Sequence, residues 1–246
     1  VIASPVANGG VFNSIALSQN IKNLSNITVS GVSGLTSADI PDMSGSYLAL
    51  SSRANNAQAT STVPFNISAW GDSLTGGNED GTGNTYPLYL YQYFGGTRQV
   101  YNGGWGGKDS TDIADRMLAS PERWGDVTII WSGRNWTSAD NTRANIARMV
   151  AAMQSVGNNN YIILGIVNKQ TENATDGGNN TTAYNNIIDL NNSLAAIYGS
   201  HYFDMRSYLV SQYDPTNPAD VANHDNDETP SSLRIDALHF NAAGYA

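Results

Sequence analysis

Two textures divide the chain. From Val1 to about Val63, short apolar runs such as Ile27-Thr28-Val29 and Tyr47-Leu48-Ala49-Leu50 are separated by Ser, Asn, Ala and Gly, which is the pattern of short strands and loops. From Pro64 onward the apolar positions gather into longer runs that alternate with helix-like stretches, the signature of an α/β domain with a parallel sheet. The boundary is therefore placed near residue 63, between a strand- and loop-rich segment over 1–63 and a second domain over 64–246. In that domain 65–70 reads as a first strand, followed by a Gly-rich turn and a helix over 86–94. Residues 97–101, 126–131, 161–167 and 201–204 read as further strands, with helices over 142–156 and 182–198. Runs as continuous as VTII (127–130) and YIILGIV (161–167) fit strands covered on both faces by helices.

Composition narrows the partners. Charged residues are only 13% of the chain, so its surface is solvated largely by neutral polar groups, as in many extracellular and virion proteins. The formal net charge of −9 disfavours nucleic acid and anionic membranes, because no basic stripe is present to neutralise phosphates. Cysteine is absent, which excludes disulfides, thiolate metal sites and a cysteine nucleophile. The chain starts at Val1 without a charged-then-apolar leader and carries no run of roughly 20 apolar residues that would span a bilayer. The expectation is a soluble chain, one that can be a piece of a longer protein.

The chemistry-bearing residues cluster after the expected strands. Trp70-Gly71-Asp72-Ser73-Leu74-Thr75-Gly76-Gly77 puts a serine at the carboxyl end of the first strand, the edge of an open α/β sheet where ligands bind. Taken alone, a Ser capping a helix in a Gly-rich turn explains it equally well. A serine hydroxyl becomes a nucleophile when a base takes its proton, most often a histidine held by a carboxylate. Of the three histidines, His201 opens a strand with no carboxylate before Asp204, and His224 lies in the acidic stretch Asn223-His-Asp-Asn-Asp-Glu228. His239 follows Asp236 by three residues, and on one turn that spacing puts both side chains on one face. Without the serine, the same pair would read as a surface ion pair. Acyl transfer also needs donors for the developing oxyanion. The Asn102–Gly107 loop, where glycines let backbone N–H groups approach a substrate, and Gly133-Arg134-Asn135-Trp136, which offers a side-chain amide, are the candidates. Either is also compatible with a plain turn.

Taken together, GDSL at 71–74, Asn102–Gly107, Gly133–Asn135 and Asp236–His239 resemble, in order and spacing, the four signature blocks of the SGNH/GDSL hydrolase family. The resemblance spans about residues 64–246. It implies a three-layer α/β/α sandwich with a flavodoxin-like parallel sheet, the SGNH hydrolase fold, and a serine esterase. By motif, Ser73 maps onto the nucleophile, His239 onto the base and Asp236 onto its orienting carboxylate. Ser73, Gly107 and Asn135 map onto the oxyanion hole. The family's third block usually ends in Asp where this chain has Trp136, which implies a bulkier, less polar pocket beside Asn135. Arg134, Trp136 and Trp105 are the candidate substrate-binding residues: Arg134 for an anionic group, unless it points into solvent, and the tryptophans for stacking on sugar rings. Asn135-Trp136-Thr137 is a glycosylation sequon, and a glycan there would consume the oxyanion amide, which leans the source towards bacteria or their phages.

Upstream, the stretch from Val32 to Leu48 is similar to repeat-like stretches of phage tail-fibre and tailspike proteins, which are elongated homotrimers bearing enzymes against surface polysaccharides; a flexible linker is the plainer alternative. The expected substrate is thus a short acyl ester, in the first place an O-acetyl group on a polysaccharide, acted on outside the cell or on a virion, with a homotrimer as the candidate assembly. A glycan-binding adhesin without activity, a general lipid or aryl esterase and an acyltransferase are the competing readings. No cofactor is called for. No metal site is expected either, since Asp225, Asp227 and Glu228 lack the glycine and spacing of a calcium loop and read as solvated.

Overall fold

The computed structural model describes residues 65–77, 83–135, 138–173 and 179–246. The expected amino-terminal segment and Trp136 lie outside the described residues. Five strands form one parallel sheet: β1 (Ile67–Gly71), β2 (Val100–Gly104), β3 (Val127–Trp131), β4 (Tyr161–Leu164) and β5 (Tyr202–Phe203), in the order β2-β1-β3-β4-β5. The order reverses between β1 and β3, and the crevice outside the carboxyl ends of those two strands is the position where such sheets bind ligands.

Alternation along the strands divides the core between two faces. On one, Trp70, Ile130 and Ile163 pack against α3 (Ser110–Leu118), α4 (Ala139–Ser155) and α5 (Asn179–Tyr198), with Ile113, Met117, Ile146, Met149, Met153 and Leu194 fully buried. α1 (Ser73–Gly76) and α2 (Tyr86–Tyr93) precede these helices, and α6 (Met205–Val210), α7 (Pro218–Asp225) and α8 (Ala242–Tyr245) follow. The second face carries Trp131 and Leu164, with Leu74, Leu209, Phe240 and Tyr245 packed over them. Beside that cluster an apolar cavity of about 480 Å³ opens among Tyr86, Trp131, Leu164, Phe203, Tyr208 and Phe240. Helices thus flank the sheet on both sides, as a three-layer sandwich requires.

Several elements differ from the expected bounds, each for a physical reason. β2 begins at Val100 and runs through Asn102-Gly103-Gly104, which had been expected as the loop after the strand. Its glycines serve contact between backbones: a Cβ on Gly104 would lie 2.0 Å from the Gly76 amide nitrogen, so only glycine lets the two chains approach there. β4 stops at Leu164 although the apolar run continues to Val167, because Asn191 on α5 holds both the N–H and the carbonyl of Ile166 at 2.8 Å in place of a neighbouring strand. The first half of the acidic stretch around His224, up to Asp225, belongs to α7, started by Asn217 as cap and Pro218 in the first turn. Helix α3 was not anticipated, although Asp109 caps it and Ile113, Ala114 and Met117 make its buried stripe.

Candidate active site

β1 delivers the Asp72-Ser73 turn to the sheet edge. Asp72, rather than Ser73, caps the helix that follows: its Oδ1 accepts from the Leu74 N–H at 3.0 Å. Ser73 opens α1, and its hydroxyl is left to another partner. That partner comes from 166 residues further along the chain, where His239 Nε2 lies 3.0 Å from Ser73 Oγ. On the other side of the ring, His239 Nδ1 is 2.8 Å from Asp236 Oδ2. Ser73, His239 and Asp236 form one hydrogen-bonded chain.

The Asp236–His239 segment is not the helical turn that its spacing suggested. It is a loop closed by an antiparallel bridge between Arg234 and Phe240 and by an Ile235 N–H to His239 carbonyl bond of 2.9 Å. Inside it, Asp236 Oδ1 accepts from the backbone N–H groups of Leu238 and His239, both at 2.7 Å. Desolvation opposes the charged carboxylate, but the His239 ring and these two N–H groups outweigh it and hold the Asp236 pKa at about 2. The carboxylate is therefore ionised wherever the imidazole can exchange a proton with a serine. Phe240, buried and stacked on Trp131, anchors the loop to the core.

Asp72 has the opposite environment. It is 1% exposed, its Oδ2 has no hydrogen-bond partner among the described residues, and burial raises its pKa to about 6 against the pull of Leu74, Arg134 and His239.

The other two histidines are engaged elsewhere. His201 stacks on Tyr161 with its Nδ1 2.9 Å from that residue's carbonyl, and His224 stacks on Tyr213. Gly107 occupies an exposed turn at φ 72°, a left-handed conformation that favours glycine. Asn135 follows β3, and its side-chain N–H donates to the Lys108 carbonyl at 3.3 Å, tying the β3 loop to the loop that carries Gly107. Trp105 is 58% exposed, with the Lys108 ammonium 5.1 Å and the Arg116 guanidinium 5.5 Å from its ring centre. Arg134 does not point into solvent: its side chain is 11% exposed, and its Nη2 donates to buried Glu172 at 2.9 Å.

Two residues that the sequence reading passed over prove structural to the site. Arg116 reaches from α3 to donate to the carbonyls of Gly103 (2.6 Å) and Gly71 (3.1 Å), clamping the ends of β2 and β1 just before the serine. Glu172 is the other. Asp227 and Glu228, expected to be solvated, are held by protein groups: Asp227 by Arg206 and Tyr184, Glu228 by Thr171, Asn173 and Asn223. Among the described residues no group of three His, Asp or Glu side chains is arranged to hold a metal ion, and no helix is long and apolar enough to cross a membrane.

Residues 69–246 match the GDSL-like lipase/acylhydrolase family. The chain belongs to that family. Solved structures agree on the fold. A lipase/acylhydrolase from Enterococcus faecalis is 18% identical with a TM-score of 0.54, covering 74% of this chain and 90% of that one. A G-D-S-L family protein from Desulfitobacterium hafniense DCB-2 is 20% identical with a TM-score of 0.53, covering 74% and 94%. Among curated proteins, the tail spike protein of Salmonella phage epsilon15 is 34% identical over 119 residues, which are 46% of this chain. The match spans about a tenth of that tail spike's length (10%), and it agrees with the tailspike-like texture of the amino-terminal stretch. As a member of the GDSL-like family, this chain carries its Asp72-Ser73 turn and its Asp236–His239 loop at opposite ends of the matched region.

Proposed function

We propose that the chain is a serine esterase in which Ser73 is the nucleophile, His239 the general base and acid, and Asp236 the group that fixes the imidazole. The single observation that carries this reading is the Ser73 Oγ–His239 Nε2–Asp236 Oδ2 chain, with distances of 3.0 and 2.8 Å. Ser73 Oγ attacks the ester carbonyl while His239 takes its proton, and the imidazolium is stabilised by Asp236. The backbone N–H groups of Ser73 and Gly107 and the Asn135 amide receive the oxyanion. Collapse of the tetrahedral intermediate expels the alcohol with the proton returned by His239. Water, deprotonated by the same imidazole, then releases the acid and restores the serine.

The proposed substrate is an O-acetyl or other short acyl group on a polysaccharide. Exposed Trp105 supports it, since a flat aromatic face beside the Asn135–Lys108 contact suits a sugar ring, and so does the likeness to a phage tail spike protein. On this reading residues 64–246 are the catalytic domain, and 1–63 join it to a trimeric tail on a virion. The test is acetate release from a panel of acetylated polysaccharides beside short and long synthetic esters, with Ser73→Ala as control. Acetate is expected from a polysaccharide, with short esters cleaved faster than long ones. A protein that binds the glycans yet cleaves no ester in the panel would be an adhesin instead.

A further inference from the structure

The loop that follows β4, residues 168–173, touches both halves of the site. Glu172 is buried, with its side chain 7% exposed, and accepts from Arg134 Nη2 at 2.9 Å through one oxygen and from the Lys169 N–H at 2.9 Å through the other. The Lys169 ammonium lies further off, at 4.0 Å. Arg134, itself 11% exposed, is the chain neighbour of Asn135 in the turn after β3. Two residues before Glu172, the Gln170 N–H donates to the Ala237 carbonyl at 2.7 Å, inside the Asp236–His239 loop. Between them sits Thr171, a β-branched residue at φ 75°, where such side chains are strained. Its N–H is held by Glu228 Oε1 at 2.8 Å, and the same oxygen takes the Asn173 amide at 2.8 Å. Asn168 donates to the carbonyls of Glu172 and Asp227, closing the loop on itself and on the α7 end. A strained residue kept in place by this many polar contacts points to a demand on the loop's shape beyond packing.

We propose that this loop is a positioning strap, with Glu172 as a positioning residue that acts through Arg134 to hold Asn135 in the oxyanion hole, while Gln170 braces the histidine loop through Ala237. The inference rests on the esterase reading above. Glu172 touches no reacting atom; its ion pair with Arg134 decides where the neighbouring amide stands. An oxyanion donor displaced by a fraction of an ångström stabilises the transition state less while ground-state binding is little changed, so the loss falls on kcat.

The test is a double-mutant cycle of Glu172→Gln with Asn135→Ala on the full chain, read as kcat and KM for p-nitrophenyl acetate. Gln keeps the shape but cannot accept from both Arg134 and Lys169 as the carboxylate does. In the Asn135 protein, Glu172→Gln should lower kcat roughly tenfold with KM within about twofold; in the Asn135→Ala background it should change kcat by less than about twofold, because coupled residues are not additive. Thr171→Gly provides a second arm. Glycine accepts the positive φ, so the melting temperature should not fall, while kcat drops as the strap loosens. Equal kcat losses for Glu172→Gln in both backgrounds, or a lower melting temperature with unchanged kcat, would overturn the strap. Failure of the esterase reading looks different: Ser73→Ala would then keep the wild-type kcat whatever Glu172→Gln does.

Discussion

Ser73 leaves β1 on backbone that its neighbours hold at contact distance, whereas His239 hangs from a loop held by polar groups. On the serine side, Gly71 sits so tightly that a Cβ would meet Thr75 Oγ1 at 2.1 Å, Gly104 lies against Gly76, and Arg116 and the Trp105 N–H both bind the Gly71 carbonyl. On the histidine side, the shape comes from Asp236 Oδ1, from Gln170 and from Arg234, whose Nη1 donates to the Asp236 carbonyl at 2.9 Å. The difference teaches where each half is fragile. A hydroxyl can be removed from the serine side without disturbing it, because sterics hold it; on the histidine side a single changed acceptor alters the chemistry, because hydrogen bonds set both shape and proton position.

Ser73→Ala is the widest separation of these two properties. Turnover on a short ester should fall by roughly 10⁶, as when other triads lose their serine, with the melting temperature unchanged. An active variant would remove Ser73 from the mechanism. Asp236→Asn should cost roughly 10⁴ in kcat, because an amide facing Nδ1 favours the wrong imidazole tautomer while its oxygen still accepts the loop's N–H groups. The wild-type carboxylate, held at about 2 against an ordinary 3.8, adds stability that is present above 3.8 and lost as pH falls through about 2. The melting profile of the Asn variant should therefore be flatter below pH 4, and an unflattened profile would mean that the loop does not depend on the charge.

Asn135→Ala removes one of the three proposed oxyanion donors and should lower kcat by about 10²–10³ with a smaller change in KM. A loss of melting temperature at unchanged turnover would make Asn135 a tie between loops, through its Lys108 contact, and nothing more. The smallest effect on turnover is expected from Asp72→Asn, whose consequence falls on stability. A carboxyl raised from 3.8 to about 6 favours the fold while protonated, so its contribution is complete below 3.8 and is lost as pH rises through about 6. That loss amounts to about 3 kcal/mol at neutral pH. Asn imitates the protonated form and keeps the cap on Leu74. Its melting temperature should exceed that of the wild type above pH 6 and match it below pH 4; no gain at pH 8 would show that Asp72 is stabilised there by Arg134 as an ion.

By itself, the sequence determined the α/β class, the strands that make the centre of the sheet, and which serine, histidine and aspartate belong together. Those are local properties: buried strands must be continuous apolar runs, and Ser73, Asn135 and the Asp236–His239 pair sit in short blocks with their own glycines and spacings. It also misplaced β2, because a strand through Asn102-Gly103-Gly104 makes sense only once Trp70 and Gly76 occupy the space that side chains would fill. The tertiary structure alone decided that the Asp236–His239 pair is a bridged loop rather than a helical turn, that Arg134 belongs to Glu172, and that Arg116 clamps the strand ends. The partners in the last two contacts stand 13 to 45 residues apart, and a hydrogen bond between such distant segments leaves no period or spacing in the chain; it exists only when the sheet brings the strand ends to one edge.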